Sequence, residues 1–176
     1  AVKELRDQTD SVSDGNAAQI CDVYPFQIAF NLIPQIDQFM ENSYTKEEWK
    51  ILQETRKILH SPDLLISATC VRVPVFISHS EAIHVELTRP MDPSEACEIL
   101  ESFDGVKVFS ASSSHPYPMP LDAAGEDDVL IGRLRKDVSS DSGLAMWVVS
   151  DNLRKGAATN AIQIAEYLYN NNLLPS

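Results

Sequence analysis

The 176-residue sequence predicts an α+β fold, a mixed, largely antiparallel sheet with flanking helices, on three observations. Short β-branched or alternating runs recur along the chain, at 64–77, 81–88, 105–109, 129–134 and 144–149. Helix signals with their own start residues lie between them. The two last strand candidates are joined by a hairpin-scale turn, SSDSG, rather than by a helical crossover. The length suits one well-cored domain.

In order, AVKELRDQT reads as helical but has no capping residue ahead of Ala1, as though the numbering opened inside an element of something longer. Residues 10–22 are small and polar and read as a loop. The apolar run at 26–36 is strand-like. TKEEWKILQETRKILH follows as a helix, with Thr45 and Glu48 at the spacing of a capping box. Residues 64–77 read as a long β-branched strand and 81–88 as a second. Asp92-Pro93-Ser94-Glu95 is a helix start, with Asp at N-cap, Pro at N1 and Glu at N3, and that helix runs to about Ser102. GVKVF is a short strand, 110–125 an extended loop, and 157–174 a final helix on the spacing of Ala161, Ile164, Ala165 and Leu168.

Composition excludes several functions. A formal net charge of −12, without a run of five basic residues, argues against nucleic-acid binding. The longest apolar stretch is interrupted by Arg72 and is too short to span a bilayer, so no membrane partner is expected. Cys21, Cys70 and Cys97 are sparse, odd in number and without CxxC spacing, which argues for a reducing, cytoplasmic setting. None of His60, His79, His84 and His115 pairs with a cysteine at zinc-ligand spacing, so no metal is expected. Glycine-rich phosphate loops and a nucleophile-elbow serine are absent from the sequence. Cys70, inside an apolar run, reads as a core thiol rather than a nucleophile.

Four constellations could carry chemistry. Arg72, in the middle of an apolar run, needs an anion; its planar fork suits a carboxylate, either a bound substrate's or that of a buried acidic side chain. His79, in VFISHSE, is either a general base or a polar residue at a strand end. Strand alternation would face positions 72 and 79 oppositely, unless the irregularity invited by Pro74 intervenes. Glu47, Lys50, Glu54 and Lys57 share one helix face and read as solvated ion pairs. Arg154 and Lys155 precede a small-residue helix start that would receive an anion, or, through Gly156, permit close backbone packing.

Five stretches together resemble the aspartate-semialdehyde dehydrogenases: FQIAFNLIPQID (26–37), YTKEEWKILQETRKIL (44–59), ATCVRVPVFISHSE (68–81), GRLRKD (132–137) and DNLRKGAATNAIQIAE (151–166). That family reduces aspartyl phosphate to aspartate semialdehyde with NADPH, through a thioester on a cysteine, in the biosynthesis of lysine, threonine and methionine. The resemblance implies a glyceraldehyde-3-phosphate-dehydrogenase-like C-terminal domain that binds substrate and forms a homodimer through the broad face of its sheet. It implies that Arg72 grips the substrate carboxylate, Glu47 meets the ammonium group, Lys50 the phosphate, and His79 moves protons at the cysteine thiol and thiohemiacetal. Asn152 falls where the family contacts NADP near the nicotinamide.

Two positions depart from the family pattern: Ser78 where many relatives have glycine, and Gln35 where many have histidine. In the family the nucleophilic cysteine, a substrate-orienting glutamine and the domain that binds most of the NADP precede the point matching Ala1. The expectation is therefore a domain without turnover of its own, whose helix at 155–174 packs on that other domain. Two alternatives remain at this stage. One is a related acyl-thioester reductase of the malonyl-CoA reductase kind, which Glu47 beside Arg72 disfavours because it suits an amino acid. The other is a non-catalytic dimerisation module.

Overall fold

The computed structural model describes residues 1–17 and 21–173. The chain divides into two compact units, Ala1–Phe76 and Ile77–Ser176, each with its own buried cluster.

In the first unit, helix α1 (Val2–Ser13) starts without a side-chain cap and runs past the loop boundary expected at residue 10. Its buried face carries two polar residues, Glu4 and Gln8, one turn apart. Glu4 accepts the backbone N–H groups of Val23 at 2.7 Å and Tyr24 at 3.3 Å. Gln8 Oε1 accepts those of Ile28 at 2.8 Å and Ala29 at 3.2 Å. These side chains supply acceptors a sheet would otherwise provide, so the expected strand at 26–36 is instead an irregular segment folded onto α1. Phe30 and Asp37 turn it through positive φ, 56° and 68°. Leu5, Ile28, Ala29 and Ile33 form the core beneath, with Tyr24 packed against them.

Helix α2 (Lys46–Ile58) has the predicted capping box: Glu48 N–H donates to Thr45 Oγ1 at 3.3 Å, and Thr45 N–H to Glu48 Oε2 at 2.8 Å. The second oxygen of Glu48 accepts the Cys70 N–H at 2.8 Å. The backbone donors at Thr45 and Cys70 hold the Glu48 carboxyl below its ordinary range, against the opposing effect of burial. Arg56 Nε donates to the Leu64 carbonyl at 2.8 Å.

The strand expected at 64–77 is likewise absent. The segment is extended, but its ladder consists of one antiparallel bridge, between Arg72 and Ile33. Val71, Val73, Val75 and Phe76 are exposed, and Arg72 itself is half-buried. Cys70 is also half-buried rather than a core thiol.

The second unit holds a four-stranded sheet in the order β1-β4-β3-β2, formed by β1 (His79–Glu86), β2 (Val106–Val108), β3 (Val129–Lys136) and β4 (Gly143–Ser150). β1/β4 and β4/β3 are antiparallel and β2/β3 parallel, so the mixed, largely antiparallel sheet is borne out. Helix α3 (Pro93–Glu101) starts on Asp92 as predicted, its carboxylate accepting the Ser94 N–H at 3.1 Å. The region expected to be all loop contains a short helix, α4 (Pro120–Ala123), whose Ala123 is buried with Leu130 and Val149.

Gly132 breaks the β3/β4 register, and Arg133 after it has a φ of 54°. A β-carbon at 132 would lie 2.5 Å from Pro118 Cδ and 2.9 Å from Tyr117 Cα. Trp147, the partner of Gly132 across the ladder, donates its indole N–H to the Pro118 carbonyl at 3.0 Å. Glycine at 132 thus lets the 117–118 segment lie against the sheet.

After β4 the chain makes a five-residue π-turn (Arg154–Ala158) and then α5 (Thr159–Asn170), shorter than the expected 157–174; Leu174 lies outside the described residues. Buried Asp151 accepts the N–H groups of Gly125 at 2.8 Å, Leu153 at 2.8 Å and Arg154 at 3.1 Å. Arg154 grips Asp127 with two bonds, 2.9 and 2.7 Å, and Thr159 Oγ1 donates to the same carboxylate at 2.6 Å. The arginine expected to receive an anion is therefore already paired. A β-carbon on Gly156 would meet nothing closer than 3.5 Å, so packing does not require glycine there. Ile162, Ile164, Tyr167 and Tyr169 of α5 are exposed.

Three measurements check this account. Glu48→Ala removes acceptors from two backbone N–H groups at once and is expected to destabilise the chain by roughly 1–3 kcal/mol in denaturant titration. Gly132→Ala forces the 117–118 segment off the sheet and is expected to lower the unfolding midpoint by the equivalent of about 1–3 kcal/mol. The pH dependence of unfolding provides the third check. Hydrogen bonds from Arg154 and Thr159 depress Asp127 to about 2, and those from His84 and Ser139 depress Asp137 to about 2. Both folded-state values lie below the ordinary 3.8, so the stability they contribute is complete above that value and lost as pH falls toward 2. Asp127→Asn and Asp137→Asn are expected to flatten that acid limb.

Candidate functional site

Arg72 is fixed from both sides by backbone. Two residues earlier, the Cys70 N–H is held by Glu48. At Arg72 itself, N–H donates to the Ile33 carbonyl at 2.8 Å and the carbonyl accepts the Ile33 N–H at 3.0 Å. Its guanidinium carbon lies 5.8 Å from the centre of the Tyr24 ring. Tyr24 is placed in turn by Glu4 and by packing on the α1 core. Arg72, Tyr24, Val23, Gln35 and Asp37 contribute to the lining of an open cavity of about 260 Å³. Among the described residues Arg72 forms no ion pair, so the reading of a structural pair with a buried acid is not what the fold provides. A guanidinium placed over an aromatic face, its donor edges unclaimed by carboxylate, suits a planar anion. Gln35, the departure from the family's histidine, lies in the wall of this cavity.

Glu47 and Lys50 are brought together on α2. Lys50 Nζ lies 3.4 Å from both carboxylate oxygens of Glu47, in a solvent-exposed pair worth little to stability. Neither lines the Arg72 cavity. Glu48, next to Glu47, is the residue that ties α2 to the segment bearing Arg72, a link the sequence showed only as half of a capping box.

In the second unit, His79 is the first residue of β1, exposed, and paired in register with Ser150 at the end of β4. No strand runs continuously from 72 to 79, so the alternation argument does not apply to these residues; the boundary between the units falls between Phe76 and Ile77.

The residue before His79 carries the feature that sequence reasoning left open. Ser78 has a φ of 79°, in the region where an L-residue costs about 1–2 kcal/mol and glycine costs little. Its N–H donates to Asn152 Oδ1 at 2.8 Å and its hydroxyl to the Pro120 carbonyl at 3.0 Å. Two hydrogen bonds of about 1 kcal/mol each are of the size needed to offset that strain. The bond from Ser78 also fixes the Asn152 amide: with Oδ1 engaged, Nδ2 is the atom left to donate to an outside acceptor.

Among the described residues no group of three or more His, Cys, Asp or Glu side chains could hold a metal ion, and no helix is long and apolar enough to cross a membrane. Cys97 on α3 is half-buried, and desolvation with nearby Glu101 pushes its thiol up, away from nucleophilic use.

Comparison with known proteins agrees with the five motifs. Residues 1–155 match the family model described as semialdehyde dehydrogenase, dimerisation domain. The chain is 49% identical over 174 residues to the aspartate-semialdehyde dehydrogenase of Aquifex aeolicus, covering 99% of this chain and 51% of that protein. A crystal structure of aspartate semialdehyde dehydrogenase II from Vibrio cholerae, complexed with ASA, matches with a TM-score of 0.91 at 49% identity, covering 96% of this chain and 49% of that one. A structure of the Candida albicans aspartate semialdehyde dehydrogenase with NADP matches at 0.67 and 26% identity, covering 84% and 47%. The chain spans about half the length of the curated relatives it matches. With the family model covering nearly nine-tenths of its residues, this chain belongs to the semialdehyde dehydrogenase dimerisation-domain family.

Proposed function

We propose that this chain is the C-terminal, substrate-binding and dimerisation part of an NADP-dependent aspartate-semialdehyde dehydrogenase, an oxidoreductase that converts aspartyl phosphate to aspartate semialdehyde for lysine, threonine and methionine synthesis in the cytoplasm. The observation that carries this reading is Arg72, poised over Tyr24 in an open cavity without a carboxylate partner among the described residues. Support comes from relatives bearing that enzyme name, one of them complexed with ASA and another with NADP.

Each residue has a part in this reading. Arg72 receives the substrate carboxylate in a two-pronged hydrogen bond, with the Tyr24 ring limiting the angles at which it can dock. Glu47 meets the substrate ammonium group and Lys50 the phosphate, each exchanging its 3.4 Å partner for a substrate charge. That exchange costs little because the pair is exposed. His79 removes a proton from the cysteine thiol and returns one as the product forms. Asn152 donates through Nδ2 at the nicotinamide end. Bound NADPH supplies the hydride.

The nucleophilic thiol lies outside these 176 residues in this reading, and with it the domain holding most of the nucleotide. None of the chain's three cysteines is assigned the role.

The test uses the chain itself, with calorimetric titration of aspartate as the probe. Saturable binding is expected, weakened about 10-fold or more in Arg72→Ala and restored only in part by Arg72→Lys, which keeps the charge but loses the fork. No NADPH oxidation is expected from the chain with aspartyl phosphate. Affinity indifferent to Arg72→Ala, or turnover by the 176 residues alone, would overturn the assignment.

A further inference from the structure

We propose that Ser78 and Asn152 are positioning residues for His79, clamping the left-handed backbone turn that presents the imidazole at the start of β1. The inference rests on the reading of His79 as the proton-transfer residue, and adds to it the parts of the fold that aim that residue.

The geometry is specific. Ser78 is held at its two polar groups by different elements: its N–H by the Asn152 side chain and its hydroxyl by the Pro120 carbonyl. Each anchor is itself immobilised. Asn152 follows Asp151, whose buried carboxylate accepts three backbone N–H groups. Pro120 opens α4, where the Met119 N–H is taken by Asp122 at 2.6 Å and Ala123 is wholly buried on the sheet. His79 is then caught between this clamp and the β-ladder, where it faces Ser150.

The identity of residue 78 points the same way. Glycine would adopt a φ of 79° without strain, yet serine stands here. What serine adds is the hydroxyl, and the hydroxyl is used, on a carbonyl 42 positions away in sequence. A residue selected only to permit the turn would be glycine. A residue that tethers the turn needs a donor. Misplacing a catalytic group by about 1 Å costs up to about 100-fold in rate, so such a tether has a kinetic consequence beyond stability.

The experiment compares the complete enzyme with Ser78→Gly in steady-state kinetics, and follows the His79 backbone amide by NMR relaxation in the 176-residue chain, in Ser78→Gly, Asn152→Ala and Asn152→Asp. Ser78→Gly is expected to lower kcat about 10-fold with KM values within twofold, while Tm holds or rises because glycine relieves the backbone. The His79 amide order parameter is expected to fall from about 0.85 to below about 0.6 in Ser78→Gly and Asn152→Ala. Asn152→Asp keeps an acceptor oxygen and is expected to retain the order. A kcat within twofold of the parent in Ser78→Gly overturns the positioning role, whatever Tm does. An unchanged His79 amide in both Ser78→Gly and Asn152→Ala overturns it as well. A parent enzyme without dehydrogenase turnover, whose variants nonetheless lose order at His79, rejects the proposed function and supports the clamp.

Discussion

Backbone N–H groups that find no strand partner must find another acceptor, and in this chain a few side-chain oxygens meet that demand. Glu4 and Gln8 hold four such groups between them, and Glu48 holds one at each end of a link from α2 to the segment bearing Arg72. Asp151 holds three more where the sheet gives way to the π-turn. Among the described residues, two isolated bridges, local turns and the α1 cluster are what else orders the irregular segments of the first unit. In the first unit, the segments that carry Arg72 and Tyr24 are thus placed by two carboxylates and an amide.

Much of the fold was legible because its signals are local. The capping box at Thr45 and Glu48, the Asp92-Pro93 start and the hairpin turn each depend on residues a few positions apart, and each formed as expected. The two failed strands, at 26–36 and 64–77, had strand composition but share a single bridge, Ile33 with Arg72, rather than a ladder. Their other donors include Ile28 and Ala29, which go to Gln8, and Cys70, which goes to Glu48, and nothing in a run of valines and isoleucines reports that. Polar residues spaced one turn apart on the apolar side of α1 were the available clue.

The site was legible to a different degree. An arginine among apolar residues signalled an anion site, though its cost is less than a buried strand would impose, because the segment is open on one side. Ser78 was visible only as a departure from a glycine; that its φ is positive, and that Asn152 and Pro120 meet it, are contacts across 74 and 42 positions that no local pattern encodes. Similarly, the Arg154 fork looked available until Asp127 was found in it.

That last arrangement sets how the end of the second unit tolerates change. Asp127, Arg154 and Thr159 fasten the first turn of α5 to the loop before β3, and beyond that turn the helix has no buried residue. The fastening fixes the direction in which the helix departs but places no demand on its reach. Among the described residues none of α5 past Thr159 is buried, so the strand registers do not rest on that stretch, and its isoleucines and tyrosines are left facing outward.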